Sequence, residues 1–222
     1  MNNDITINVF NQTPEDYTIV VFQQDPEING MFTRIFPTAW QVIPLGGLKN
    51  GVPSQGSYSS NTFIYPLQMQ VSVTEHNTPY SPNTRYISYD CALNSKWDFN
   101  IENNYQRLTL REDKNVDGTI SCNNNAKKKV DICICKNNKP LLVYRGQDGE
   151  GVPEGDCANL QLTPKIYLMY ASEMQEGVLF NSYVNARSVQ EIDLTNICEV
   201  DISLVVKDPV TGLKGWDVIR KE

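Results

Sequence analysis

Apolar and polar residues alternate with a period of two along much of the chain. Ile5, Ile7 and Val9 alternate with Thr6, Asn8 and Phe10, and Leu67, Met69, Val71 and Val73 alternate with Gln68, Gln70, Ser72 and Thr74. Leu108 and Leu110 alternate with Arg107, Thr109 and Arg111, and Ile202, Leu204 and Val206 with Asp201, Ser203 and Val205. Successive side chains of a strand point to opposite faces, so each run predicts a strand with one buried face and one wet face. No stretch of helical length keeps the i, i+3, i+4 apolar spacing. Alanine is scarce, and Asn, Thr, Val, Ile and Tyr are abundant, which favours strands and turns.

The residues between these runs are turn formers. Val130 to Lys136 and Lys139 to Tyr144 flank Asn137-Asn138, and asparagine tolerates the left-handed conformations of a two-residue hairpin turn. Pro140 lacks an N–H, so it belongs on an edge or at an unpaired position. Arg107 to Glu112 and Thr119 to Cys122 flank Asn115-Val116-Asp117-Gly118, which reads as a second hairpin. Val205 to Lys207 and Trp216 to Ile219 flank Asp208 to Gly212, a third. Short strands joined by such turns predict one all-β domain over residues 1–222. It is sandwich-like, with two mainly antiparallel sheets and long loops near Gly46 to Asn61 and Gln147 to Gly155.

Composition narrows the partners. In 222 residues, a formal net charge of −7 argues against nucleic acid or an anionic membrane, and the basic run Lys127-Lys128-Lys129 is too short to reverse it. The longest apolar runs, such as Ile19-Val20-Val21-Phe22, fall far short of a transmembrane segment. Met1-Asn2-Asn3-Asp4 opens no recognisable signal peptide, so the expected location is the cytoplasm, or outside the cell by a route without such a signal. Six cysteines are too sparse for a disulfide scaffold and would be thiols in a reducing compartment; export would leave disulfides open.

Several short pieces carry a resemblance. Ala39-Trp40-Gln41-Val42, Tyr65-Pro66-Leu67-Gln68-Met69-Gln70-Val71-Ser72 and Glu176-Gly177-Val178-Leu179-Phe180-Asn181-Ser182 follow the patterns A-W-x-V, Y-P-x-x-x-x-V-S and E-G-x-x-x-N-S. Lys136 to Leu142 and Pro164 to Tyr167 add to them. Together they resemble a set of small uncharacterised bacterial proteins with no assigned activity. The resemblance implies a bacterial protein of one all-β domain and implies nothing about mechanism.

Candidate chemistry is sparse. Asp113-Lys114-Asn115-Val116-Asp117-Gly118-Thr119-Ile120 matches the first eight positions of a calcium loop, with oxygen donors at Asp113, Asn115 and Asp117 and the glycine at the bend. Its last position is Asn124 instead of a bidentate Glu and its flanks are strands, so the same residues also fit a plain turn. Cys133 and Cys135 share one strand face and could ligate a metal, but a single histidine, His76, leaves zinc short of ligands, and packing as small apolar residues is the preferred reading. His76 follows a strand and reads as a solvated loop residue. No nucleophile elbow, phosphate-binding loop, dinucleotide fingerprint or metalloprotease helix occurs, so no catalytic residue is assigned.

Two features point to binding. Tyr58, Tyr80, Tyr86, Tyr89, Trp97 and Tyr105 lie among Asn and Ser in or near loops, as a carbohydrate site requires. Val20, Phe22, Tyr167 and Met169 lie on strands apolar on both faces, and the second face needs a covering loop or another subunit. The leading expectation is a non-enzymatic structural or interaction protein that forms homo-oligomers through its β surface. A lectin-like ligand-binding module is the alternative. A secreted toxin or pore-former is the third class, on the amphipathic stretch Val178 to Leu194.

Overall fold

The alternating runs become strands, and no helix forms among the described residues. The computed structural model describes residues 4–24, 31–53, 58–76, 87–115, 118–171, 174–180 and 189–221. In chain order the strands begin with β1 (Ile5–Asn11), β2 (Tyr17–Phe22), β3 (Ile35–Pro37), β4 (Gln41–Leu45), β5 (Leu48–Lys49), β6 (Val52–Pro53) and β7 (Ser60–Tyr65). Next come β8 (Met69–Glu75), β9 (Ile87–Cys91), β10 (Lys96–Glu102), β11 (Tyr105–Leu110), β12 (Thr119–Asn124), β13 (Val130–Lys136), β14 (Lys139–Tyr144) and β15 (Cys157–Gln161). The last four are β16 (Lys165–Ala171), β17 (Gln190–Asp193), β18 (Glu199–Asp208) and β19 (Leu213–Lys221).

The expected sandwich architecture is present, with two pairs of sheets instead of one. Sheets β19-β18-β1-β7 and β17-β16-β2-β4 enclose Ile7, Val9, Ile19, Val21, Ile166, Leu168, Ile202 and Leu204. Sheets β3-β14-β13-β8-β9 and β11-β10-β12-β15 enclose Val71, Val73, Trp97, Phe99, Ile120, Ile132, Ile134 and Leu160. Pairing is antiparallel except for β1 with β18 and β10 with β12. Periodicity of two reports that a face is buried but not which sheet buries it, so the number of sheets is not written in the alternation.

Turn chemistry explains the pairing and corrects one hairpin. Asn137 and Asn138 both have positive φ, 50° and 59°, and close the β13–β14 hairpin with Lys136 opposite Lys139. Pro140 sits where the register shifts beside Cys135, so its missing N–H interrupts no regular ladder. The hairpin around Asp208 to Gly212 joins β18 to β19. The hairpin expected between β11 and β12 does not form, because β10 lies between them, antiparallel to β11 and parallel to β12. The turn that closes β10 on β11 is Asn103-Asn104, with φ of 50° and 66°. The same left-handed asparagine pair is at work, one strand earlier.

The two sandwiches meet at a buried junction. Trp40, between β3 and β4, has its ring edge-on to Tyr65 at 5.6 Å and to Phe63 at 5.9 Å, and its Nε1 donates to the Lys136 carbonyl at 3.3 Å. Lys136 extends the other way, donating from Nζ to the carbonyls of Pro66 and of Leu67, and lies 4.3 Å from the centre of the Tyr65 ring. Desolvation lowers the pKa of this amine to about 8, against the upward pull of Asp4 and Cys91. The hydroxyl of Thr38 donates to the Pro140 carbonyl. Pieces of sequence that look unrelated, Ala39-Trp40, Tyr65-Pro66, Lys136 to Leu142 and Glu176-Gly177, thus converge on one place.

Candidate functional site

In the predicted calcium loop the Asp113 carboxylate is engaged by two basic side chains and Asn115 by hydrogen bonds from its amide nitrogen. Asp113 accepts from Lys96 Nζ at 2.8 Å and from Arg111 Nε at 2.8 Å, and these two partners hold its carboxyl below the ordinary range. Asn115 turns its Nδ2 inward, donating to Ser121 Oγ at 2.9 Å and to the carbonyls of Ser95 and Thr119 at 3.3 Å. Asn94 Oδ1 accepts from the Gly118 N–H at 2.8 Å. Asp117 lies outside the described residues. The hydrogen bonds on both described donors are those of a turn tied to its neighbouring strands.

His76 is not a solvated loop residue. Its side chain is 9% exposed, and Nδ1 lies 2.8 Å from Oδ1 of Asp131, which is fully buried on β13. The other oxygen of Asp131 accepts from Arg145 Nε at 3.1 Å. Gly151 makes room for the ring: its φ is 92°, and a Cβ there would meet His76 Cγ at 2.7 Å. Paired hydrogen bonds between Val130 and Val152 fasten the same loop to β13. An aspartate that orients an imidazole is one half of a catalytic relay. On β8, however, Ser72 is four residues from His76, about 13 Å of extended strand, so the register separates that hydroxyl from the ring. The cluster works as an anchor for the loop 145–152. Sequence missed it because Asp131 and Arg145 are remote from His76 in the chain and come together only through strand pairing.

Four of the six cysteines pack as small apolar groups. Cys91, Cys122, Cys133 and Cys135 are buried free thiols, Cys157 is half-buried and Cys198 exposed. Burial pushes the Cys91 and Cys135 thiols up to about 12. Cys133 and Cys135 lie with Val143 on the outer face of their sheet, under Leu179.

That leucine belongs to a strap, residues 174–180, which covers the second faces of both sandwiches. Gly177 N–H donates to Ala39 at 2.8 Å, Ala39 N–H to Val178 at 3.0 Å, and Phe180 N–H to Pro37 at 2.9 Å. Phe180 meets Phe22 edge-on at 5.1 Å and packs over Val20 and Met169, and Lys139 pairs with Glu176 at 2.9 Å. Val20, Phe22 and Met169 are therefore buried within one chain, with Phe180 of the strap packed on them. Tyr167 is partly exposed, stacked on Phe22 at 5.7 Å with its hydroxyl donating to Glu191 at 3.0 Å. Of the amphipathic stretch Val178 to Leu194, the first three residues are in the strap, Gln190–Asp193 forms β17, and 181–188 lie outside the described residues.

Apolar surface remains at an open side of the second sandwich. Tyr89 on β9 stands opposite Val71 and shares its inward direction, and Leu110 on β11 stands opposite Trp97. Both strands are sheet edges, so these side chains turn toward the core yet stay 48% and 57% exposed. The Tyr89 ring is stacked on Trp97 at 6.1 Å and 28°. Leu93, in the turn between β9 and β10, and Tyr105, at the start of β11, are exposed as well. Of the other ring candidates, Tyr58 is exposed and Trp97 buried, and Tyr80 and Tyr86 lie outside the described residues.

No family model matches the chain, and no curated protein or solved structure is detectably similar to it. No helix among the described residues is long and apolar enough to cross a membrane.

Proposed function

We propose that the protein is a non-enzymatic structural or protein-interaction protein that acts through the edges of its β-sheets, self-association included. The observation that carries this reading is the strip Tyr89–Leu110, where inward-facing side chains of two edge strands are left for a partner to cover. A protein partner would bury the Tyr89 ring and Leu110 together, and each fully buried side chain of this size stabilises by about 1.5–3 kcal/mol. Self-association through Val20, Phe22 and Met169 loses its driving force under the strap, so a contact between copies needs a different surface. The resemblance supports a bacterial source, and the free thiols fit a reducing compartment.

A second reading has one observation in its favour. The Tyr89 ring, backed by Trp97, is a held and partly exposed aromatic face of the kind on which a sugar ring stacks. Affinity capture with wild type and with the Tyr89→Glu/Leu110→Glu double variant, beside a glycan array, separates the two. A protein retained by the wild type and lost by the double variant supports the interaction reading. A saturable glycan signal lost in Tyr89→Ala replaces it with the lectin-like one. Equal retention by wild type and double variant overturns the choice of surface.

A further inference from the structure

The strap over residues 174–180 lies in the connection between β16 and β17, yet those strands do not depend on it. They pair directly, Lys165 opposite Asp193 and Leu168 opposite Gln190, so the hairpin is closed below the strap. The ties of the strap itself are few. Leu179 is bridged antiparallel to Thr38, with backbone bonds to Pro37 and Ala39 on either side. Glu176 adds its ion pair with Lys139, and these side chains are 27% and 35% exposed. Phe180 is buried, but Met174 and Leu179 are partly exposed and Val178 is exposed. Residues 37–39 have other partners besides the strap. The Thr38 N–H donates to the Leu141 carbonyl at 3.1 Å and its hydroxyl to the Pro140 carbonyl, while β3 pairs with β14 and β4 with β2. No strand ladder of either sandwich runs through the strap.

Two thiols lie beneath it. Cys133 and Cys135 share the outer face of β13 with Val143, fully buried, and Leu179 packs against them. Cys122, by contrast, lies between the two sheets of the second sandwich, among Trp97, Ile120 and Leu160. We propose that the strap is a releasable gate over the Cys133 and Cys135 thiols, opening as a unit while both sandwiches stay folded. A segment held by a few backbone bonds, one partly exposed ion pair and one buried ring opens at a lower free-energy cost than the ladders and cores beneath it. Opening lifts Leu179 off the two sulfurs and Phe180 off Phe22. Burial pushes the Cys135 thiol up to about 12, so the closed protein holds almost no thiolate there. Water admitted by opening removes that cost, and a soluble electrophile then reaches the sulfur. The pair is thus a gated modification site for small thiol-reactive compounds. The inference is independent of the strip Tyr89–Leu110, which belongs to β9 and β11.

Labelling with N-ethylmaleimide at neutral pH, followed cysteine by cysteine by mass spectrometry of peptides, tests the gate. The thiolate sulfur adds across the maleimide double bond, the neighbouring carbon takes up a proton, and nothing is expelled. The wild type is compared with Leu179→Ala, Glu176→Lys and the control Glu75→Lys, which breaks an exposed pair with Lys128 on the same sheet. Unchanged far-UV circular dichroism checks that each variant folds. Exposed Cys198 is expected to react first, Cys133 and Cys135 together in a slower phase, and Cys122 more slowly still. Leu179→Ala is expected to speed the Cys133 and Cys135 phase by about tenfold or more and Glu176→Lys by less, with Cys122 and the control unchanged. Cys133 and Cys135 that react no faster than Cys122 in every protein overturn the gate. So does a rate that neither strap variant alters, and so does an equal acceleration of Cys122, which marks general unfolding.

Discussion

Replacing Lys136 tests whether the junction between the sandwiches is built on a desolvated amine. Its Nζ donates to the Pro66 and Leu67 carbonyls beside the Tyr65 ring, and burial lowers its pKa from 10.5 to about 8. An amine with a lower pKa in the folded chain than in the unfolded one binds fewer protons when folded between those two values. Unfolding therefore takes up a proton between about pH 8 and pH 10.5, and stability rises with pH across that window. Above it the amine is neutral in both states; below it the folded chain carries the whole cost of a buried cation. The gap corresponds to about 3 kcal/mol. Six cysteines and 11 tyrosines titrate in neighbouring ranges, so the informative quantity is the difference between wild type and Lys136→Met. Urea denaturation at steps from about pH 7 to about pH 11 gives that difference. The wild type is expected to gain about 3 kcal/mol on the Met variant as the window is crossed. Lys136→Arg, which cannot shed its proton, is expected to behave like the Met variant. Parallel curves for wild type and Lys136→Met would refute the reasoning.

Asp131→Asn leaves His76 and Arg145 without the carboxylate between them, and is expected to cost about 2–3 kcal/mol in denaturant unfolding at neutral pH, with faster amide exchange in the loop 145–152. In the β13–β14 turn, Asn138→Ala is expected to lose about 1 kcal/mol or more and Asn138→Gly almost nothing, because the φ of 59° is strained for alanine and free for glycine. Millimolar calcium is expected to leave the thermal midpoint unchanged, since Asp113 would have to release Lys96 and Arg111 to bind it. A calcium-dependent rise that Asp117→Ala removes would instead establish the loop as a calcium site.

Much of the fold is legible because strands and turns are local. Ile5, Ile7 and Val9 are buried as their alternation requires, and Asn137-Asn138 turns where a left-handed pair must. Pairing beyond the nearest neighbour is not local, so β10 could take the place between β11 and β12 that the Asp117-Gly118 turn offered to a hairpin. On β8, Ser72 and Thr74 read as a wet face and are buried, because a small hydroxyl side chain fits either environment. The strap over Phe22 and Cys133 was legible only as a need: alternation shows that a second apolar face must be covered and not which of the chain's segments covers it. The candidate surface was half visible. Tyr89 appears among the aromatic residues near loops, but the exposure of Leu110 follows from β11 being an edge, which depends on the order of strands in the sheet.

Amide hydrogen exchange on the wild type, read strand by strand at low and at high micromolar concentration, bears most directly on whether this protein acts through its sheet edges. Protection at high concentration is expected on the edge strands β9 and β11, which carry Tyr89 and Leu110, with the charged edges β17 and β19 unchanged. Exchange that is identical at both concentrations along every edge strand would contradict self-association through the sheet edges.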